Sequence, residues 1–438
     1  MKVLIFGFGN HGGGFAAAQY FLKRGDQVRI TDMNSLSKLG DSIQICSDMG
    51  AELILEQHRE SDFTWADCVV KSPAISKSHP FLIKSHKIIN DFSTLFSFVD
   101  IDKIKLIAIT GTKGKTTTAS AVTHVLQRLG HEAIMCGNMG ISGFSVLEDL
   151  EERSRTGKEL PEYIVCEMSS WQISDTFQYL DHVPVLEASC MTSLYEDHQN
   201  YYHSMESYIK DKMQLFRQKS RHIISTDSMR QTIASASDVP LSDVMSIEKT
   251  ARKLDSSILA PAYAICSSLG FGSKRIIDAL KTFPGVPHRN EMVRFHNNTI
   301  FINDSAATVP EAVQFTYSNY YSNVPVFLIC GGTDKELHPE GMTAALRHSR
   351  GLYLLGGSFT SEKLIPLLQS MSISYHGPYC SMDDAVDASY SDAQSFLGSD
   401  GNTTAFIILS PGAASFELFR HEFDRGDKFK QKVNSIAN

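Results

Sequence analysis

The stretch Gly111-Thr112-Lys113-Gly114-Lys115-Thr116-Thr117 packs two glycines, two lysines and three hydroxyls into seven residues. It lies between the apolar run 104–109, read as a buried strand, and the helix-forming run 119–126. A glycine loop at a helix N-terminus points successive backbone N–H groups at one spot, where the helix dipole also favours an anion. These residues are therefore suited to hold a phosphate. Lys115 supplies a point charge and Thr116 a hydroxyl for a magnesium ion. Only two residues separate Gly111 from Gly114, a shorter spacing than the commonest phosphate loop. A turn that merely links strand to helix has no need of Lys115 and Thr116 together.

Two further features carry chemistry. Gly7-Phe8-Gly9-Asn10-His11-Gly12 matches G-x-G-x-x-G, with Asp32 some twenty residues on, the pattern of a nucleotide-binding strand–turn–helix. With a phosphate loop following it, a nucleotide other than NAD is the better expectation for this turn. Glu167 ends the apolar strand Tyr163-Ile164-Val165-Cys166, which puts its carboxylate at the carboxyl end of a parallel sheet, where ligands bind. Magnesium prefers oxygen ligands, and Thr116 with Glu167 offers two.

The elements that must position these residues fall into three blocks of alternating strand and helix signals, an α/β pattern. The first, residues 1–102, opens with strand 3–6, a glycine turn, a helix through 15–24 and strand 27–30. The second, 103–291, is a P-loop-type parallel sheet that closes at the turn-rich Phe283-Pro284-Gly285-Val286-Pro287. The third, 292–438, starts with strand 299–302, continues through strands near 326–330, 351–355 and 405–409, and ends in a charged helix, 425–436. The expected fold is three domains: Rossmann-like, P-loop ATPase-type, and Rossmann-like again.

A chain of 438 residues supports that many cores. Lys+Arg 41 against Asp+Glu 49 gives a net charge of −8, which argues against nucleic acid or anionic membrane as a partner. The eight cysteines are scattered singly, several within apparent buried strands, as expected of small core residues in a reducing compartment. The opening apolar run breaks at glycines too early for a signal peptide or a membrane span. A cytoplasmic monomer acting on small molecules is expected.

With both glycine loops placed, the chain resembles the Mur ligases of peptidoglycan synthesis, most closely those that add D-glutamate. The likeness covers essentially the whole length. It also rests on Gly137-Asn138-Met139-Gly140, Glu167-Met168-Ser169-Ser170-Trp171-Gln172, Glu196-Asp197-His198, Tyr208-Ile209-Lys210-Asp211-Lys212, Pro287-His288-Arg289, Asn303-Asp304-Ser305, Gly331-Gly332-Thr333-Asp334-Lys335 and the run from Leu409 to Ser415. The resemblance implies ATP-dependent addition of D-glutamate to UDP-N-acetylmuramoyl-L-alanine through an acyl phosphate. Lys115, Glu167, His198 and Lys212 would be catalytic, and Thr116, Glu167, His198 and Lys212 would support two magnesium ions. Lys212 would be carbamylated. Gly111 to Thr117, Arg289 and Asp304 would meet ATP. Asn10, His11, Asp32, Ser72, Asn138 and Ser169 would meet the UDP-linked precursor, while Thr308, Lys335, Ser415 and Phe423 would receive the amino acid. Because Lys335 and the hydroxyls stand on a separate domain, that site would be completed only on closure.

The chain departs from the family at several points. Lys113 and Ala306 replace the more usual asparagine and lysine, and Pro261 stands where an asparagine commonly meets adenine. In Arg420-His421-Glu422-Phe423-Asp424 the aromatic is shifted by one position. These changes bear on the amino acid and the base more than on the phosphate chemistry. A ligase adding L-glutamate or another amino acid, a folylpolyglutamate synthase-like ligase, and a nucleotide-binding regulator are the alternatives. The folate enzymes would place the loop near the N-terminus, and a regulator would not need Lys115, Thr116, Glu167, His198 and Lys212 together. A NAD-dependent oxidoreductase would leave the second loop unexplained.

Overall fold

The computed structural model describes all residues but 10, 11, 101, 138–140, 181, 195–201, 203, 255, 400–402 and 438, and the side chain of 399. The chain divides into two compact units, Met1–Phe283 and Pro284–Asn438. The break falls in the turn-rich segment that begins at Phe283.

The first unit holds two sheets. One contains β1 (Lys2–Phe6), β2 (Gln27–Asp32), β3 (Glu52–Leu55), β4 (Cys68–Lys71) and β5 (Ile88–Ile89) in the order β3-β2-β1-β4-β5, all parallel. The other contains β6 (Lys105–Thr110), β7 (Ala133–Cys136), β8 (Tyr163–Glu167), β9 (Leu186–Met191), β10 (Ser220–Ser225) and β11 (Val244–Ser246) in the order β11-β10-β9-β6-β8-β7, again all parallel. Parallel strands need crossover helices and are covered on both faces, which is why β6 and β8 read as continuous apolar runs. In each sheet the first strand lies between strands that leave in opposite directions. The glycine loops after β1 and β6 therefore stand at the switch points where open α/β sheets bind ligands.

One hydrophobic core runs through both sheets. Tyr20 and Phe21, on the helix Gly13–Lys23, pack against Phe144 on the helix Gly143–Thr156, with ring centroids 5.5 and 5.6 Å apart. Tyr20 also donates to Glu151 at 2.7 Å, so the two layers are bonded as well as packed.

The second unit has one sheet, of β12 (Glu291–His296), β13 (Thr299–Asn303), β14 (Val326–Cys330), β15 (Gly351–Leu355), β16 (His376–Tyr379) and β17 (Ala405–Leu409), in the order β12-β13-β17-β14-β15-β16. Four strands fall where the sequence puts them, but β12 and the short edge strand β16 are additions. Residues 291–296 form an antiparallel edge strand joined to β13 through Asn297-Asn298, both at positive φ. That turn suits a tight hairpin, and asparagine tolerates the left-handed region. The last helix is Glu422–Ser435, beginning three residues before the expected start because His421 caps it by accepting from Asp424 N.

Among the described residues no helix is long and apolar enough to cross a membrane.

Candidate active site

The first group of residues lies at the carboxyl ends of β6, β8 and β9. Gly111 has φ +149, and a Cβ there would stand 2.1 Å from Thr192 Oγ1, so only glycine fits. Thr192 and Ser193 follow β9 and hold the loop: Thr192 Oγ1 donates to Thr110 O at 3.1 Å and to Lys113 O at 2.7 Å. Lys113 N donates to Ser193 Oγ at 2.8 Å. The helix Lys115–Arg128 starts directly after Gly114, with Thr116 and Thr117 in its first turn. The glycine loop and the helix N-terminus thus stand together in the strand–loop–helix arrangement that could hold a phosphate. Lys115 Nζ donates to Gly111 O at 2.9 Å and Thr112 O at 3.1 Å, arching back over that loop.

Glu167 is the last residue of β8 and is buried. Thr116 Oγ1 donates to Glu167 Oε1 at 2.9 Å. The two oxygens suited to magnesium are thus neighbours in a dry setting. Gly137 holds the next loop against this point, since a Cβ there would fall 1.9 Å from Glu167 O.

Lys212 lies on the helix Met205–Met213 with only 1% of its surface exposed, which excludes an ordinary solvated lysine. Its Nζ donates to Gly111 O at 3.2 Å and stands 3.5 Å from Thr110 Oγ1. Tyr208 is four residues earlier and on the same face. Its ring is 4.7 Å from Lys212 Nζ and its hydroxyl 3.0 Å from Thr112 Oγ1. Lys210, on the opposite face, is exposed. Ser169 caps the helix Ser170–Tyr179, accepting from Gln172 N while Gln172 Oε1 accepts from Ser169 N. Among the described residues no three His, Cys, Asp or Glu side chains converge as a metal cluster.

At the first sheet Asp32 is buried, and its carboxylate holds the glycine turn by accepting from Phe8 N at 2.8 Å and Gly9 N at 3.1 Å. Asn34 N and Nδ2 bond its other oxygen. Ser72 follows β4 and its N–H donates to Phe6 O at 2.9 Å, beside the same turn. Asp32→Ala, leaving those buried N–H groups without an acceptor, is expected to cost about 2–3 kcal/mol of stability. A thermal unfolding curve measures the loss, and a precursor titration should show weaker binding. Asn10, His11, Asn138 and His198, also singled out in the sequence, lie outside the described residues.

The second unit carries the other group. Asp304 follows β13 and is buried; it accepts from Ser410 Oγ at 2.8 Å, Thr316 Oγ1 at 2.9 Å and Asn290 N at 3.1 Å. Burial nonetheless pushes its pKa up to about 6, with those bonds and the charge of Arg289 pulling the other way. Arg289 Nε is buried with no hydrogen-bond partner among the described residues. The loops bearing Thr308, Lys335 and Ser415 leave β13, β14 and β17 side by side. Gly412 N donates to Ala307 O at 2.8 Å, and Thr333 and Ala414 exchange backbone bonds at 3.0 and 3.1 Å. Lys335 is exposed, while Ser415 Oγ is buried with no partner among the described residues. Phe423 faces His288, ring centroids 5.4 Å apart.

Arg425 is a buried link between these loops that sequence reasoning does not find. It reads as one charge on a polar helix, yet it is fully buried, bonding Ser305 Oγ and O and the carbonyls of Ala413 and Ala414 at 2.9–3.2 Å. It ties the Asp304 loop to the Ser415 loop. Burial lowers its pKa to about 9, against the opposing pull of Glu422. Thr192, Ser193 and Tyr208 escape the sequence too, although Tyr208 heads the segment that ends in Lys212.

The raised pKa of Asp304 has a definite sign for stability. The folded state holds this proton more tightly than an unfolded carboxyl near 3.8, so the contribution is complete below about 3.8 and fades as pH rises through about 6. The shift corresponds to at most about 3 kcal/mol. Asp304→Asn should raise the melting temperature relative to the native protein more at pH 7.5 than at pH 4.5; an equal change at both values would contradict it.

Comparison with known proteins agrees with this geometry. Residues 109–262 match the family described as the Mur ligase middle domain. The UDP-N-acetylmuramoylalanine–D-glutamate ligase of Borreliella burgdorferi (strain ATCC 35210 / DSM 4680 / CIP 102532 / B31) is 31% identical over 469 aligned residues, covering 100% of this chain and 98% of the relative. The enzyme of the same name from Treponema pallidum (strain Nichols) is 28% identical, covering 99% and 97%. Among solved structures, UDP-N-acetylmuramate-alanine ligase MurC from Thermotoga maritima superposes with a TM-score of 0.60 at 16% identity over the full length of both chains. FolC of E. coli in complex with DHPP and ADP gives 0.54 at 14% identity, over 79% of this chain and 93% of that one. The fold is thus shared with these proteins, with the loop of Gly111–Gly114 preceded by a further parallel sheet. This chain belongs to the Mur ligases, within the family of UDP-N-acetylmuramoylalanine–D-glutamate ligases.

Proposed function

We propose that this chain joins D-glutamate to UDP-N-acetylmuramoyl-L-alanine at the expense of ATP, forming ADP and phosphate, in the cytoplasmic assembly of peptidoglycan precursors. The observation that carries the reading is the gathering of Lys115, Thr116, Glu167 and Lys212 around the end of β6, with Thr116 Oγ1 2.9 Å from Glu167 Oε1. An end-to-end match to relatives of that name supports it.

A carboxylate resists attack by an amine because its leaving group would be oxide. Transfer of the terminal phosphoryl group of ATP to a carboxylate oxygen makes phosphate the leaving group instead, and the amine then attacks the acyl carbon. Such transfers need positioning and charge neutralisation more than covalent help. The amides of Gly111 to Thr117 would cradle the phosphates, and Lys115 would swing its ammonium from the loop carbonyls onto the transferring group.

The oxygens of Thr116 and Glu167 fit a hard cation, and magnesium bound there would supply positive charge against the phosphate oxygens. Lys212 as an ammonium would oppose such a cation. Addition of carbon dioxide to its neutral amine forms an N–C bond, releases a proton and leaves a carbamate anion. That anion, with His198, would support a second magnesium ion.

In the first sheet the turn Gly7–Gly12, Asn10, His11, Asp32 and Ser72 would hold the UDP moiety, with Asn138 and Ser169 towards the muramoyl end. In the second unit Arg289 and Asp304 would meet ATP. Lys335, Thr308 and Ser415 would supply donors to the two carboxylates of glutamate, with Phe423 beside them. On the division 1–102, 103–291 and 292–438, the first domain would hold the UDP moiety, the second the phosphate loop and the third the donors to the amino acid.

Phosphate release by the purified protein with ATP, magnesium and UDP-N-acetylmuramoyl-L-alanine tests the reading, run with D-glutamate, L-glutamate and no amino acid. Release with an amide product is expected with D-glutamate alone. Preference for L-glutamate would transfer the assignment to a variant ligase, and no amino-acid-dependent release would overturn it.

A further inference from the structure

Lys71 is the last residue of β4, and its side chain is fully buried. A buried ammonium is costly unless it is paired and hydrogen-bonded. Its Nζ stands 2.5 Å from Asp175 Oδ2 and donates to Ser72 O at 3.1 Å. Asp175 is also buried, on the helix Ser170–Tyr179 that begins three residues after Glu167. Burial drives both groups towards neutrality, Asp175 up to about 6 and Lys71 down, while their contact holds the charges in place.

A second lysine leaves the same loop. Lys77 Nζ donates to Ser174 Oγ at 2.7 Å and Asp211 Oδ1 at 3.0 Å. Asp211 is buried and accepts also from Ser174 Oγ and Gln214 Nε2, at 3.0 and 3.1 Å. It immediately precedes Lys212. The segment 71–77, which includes Ser72, thus grips two helices: one begins beside Glu167 and the other carries Lys212.

The two pairs differ in exposure. Side-chain exposure is 0% and 3% for Lys71 and Asp175, but 39% and 9% for Lys77 and Asp211. The first pair is a fixed anchor. The second has one partner at the surface, so its lysine is the less enclosed of the two.

We propose that Lys77 is a positioning residue that couples the loop after β4 to Lys212 through Asp211, with Lys71–Asp175 as the anchor of that loop; this rests on the reading of the chain as a ligase for a UDP-linked substrate. Seating that substrate against Ser72 would order Lys77, and Lys77 would set the helix Met205–Met213. Phosphoryl transfer would then be favoured only when the acceptor is in place.

The test compares Lys77→Met, Lys77→Arg, Asp211→Asn and the double variant Lys77→Met/Asp211→Asn for kcat, for the KM of ATP and of the precursor, and for the affinity of a non-hydrolysable ATP analogue with and without the precursor. Lys77→Met should lower kcat about tenfold, shift the KM for ATP by less than about twofold, and abolish tightening of the analogue by precursor. Lys77→Arg should recover most of the loss, and the double variant should be no worse than the poorer single. Unchanged kcat and precursor coupling in Lys77→Met, or additive losses in the double variant, would overturn the coupling while the native enzyme remains active. A native protein that makes no product with D-glutamate overturns the functional reading and the coupling with it. Melting temperatures separate these results from partial unfolding.

Discussion

Lys115→Ala is expected to lower kcat by about a hundred- to a thousandfold, the loss of ~3–4 kcal/mol that follows removal of one preorganised charge from a transferring group. Stability should respond far less. The ammonium bonds loop carbonyls at 2.9 and 3.1 Å, and those carbonyls can turn to water when it leaves. The melting temperature should therefore stay within about 2 °C of the native value. Steady-state phosphate release measures the first effect and calorimetry the second. A kcat within about fivefold of the native value would mean that the loop amides alone carry the phosphate charge.

Lys212→Met is expected to have an effect of at least the same size, for a different reason. Lys212 is 1% exposed and stands against Gly111 O and the ring of Tyr208, so its amine is desolvated where the phosphates would lie. As a carbamate it would bring an anion to that spot; as methionine it brings none. Activity of the native protein should fall when carbon dioxide is stripped from the buffer and return with bicarbonate, whereas Lys212→Met should fall about a thousandfold and ignore bicarbonate. Lys212→Arg should be equally inactive, because a guanidinium cannot take up carbon dioxide and keeps the wrong charge. Full activity in Lys212→Arg would establish a plain cationic role.

The residues legible in the sequence are those whose chemistry and backbone demands sit together in the chain. Gly111, Gly114, Lys115 and Thr116 form one turn, and the fit of Gly111 against Thr192 explains why the loop is written with glycine. Glu167 is legible because an acidic residue at the end of an apolar strand has one place to be in a parallel sheet. Lys212 is legible only through the motif Tyr208 to Lys212, where spacing four puts aromatic and amine on one face.

What stays hidden depends on contacts remote in the chain. Lys71 ends a short apolar strand, and nothing near it in the chain announces its partner Asp175, which is 104 residues away. Arg425 reads as one charge among many on a polar helix, and only its place under the loops of Ser305 and Ala413 makes it a buried stitch. The edge strand β12 escapes because Glu291-Met292-Val293-Arg294-Phe295-His296 lacks clean alternation and carries a register shift. The pair Asn297-Asn298 is the available signal for its hairpin. Asp32 reads as a contact to the precursor, and its hold on the glycine turn through Phe8 N and Gly9 N is a further role visible only in the structure.

Transfer of oxygen from the precursor to phosphate tests the proposed chemistry most directly. UDP-N-acetylmuramoyl-L-alanine carrying 18O in its alanyl carboxylate is incubated with ATP, magnesium, D-glutamate and the protein, and the released phosphate is weighed by mass spectrometry. An acyl phosphate requires that one carboxylate oxygen leave with the phosphoryl group, so each phosphate formed from a fully labelled carboxylate should contain one 18O. Phosphate free of label, formed in step with the amide, would show that the carboxylate is never phosphorylated and would contradict the roles assigned to Lys115, Thr116, Glu167 and Lys212.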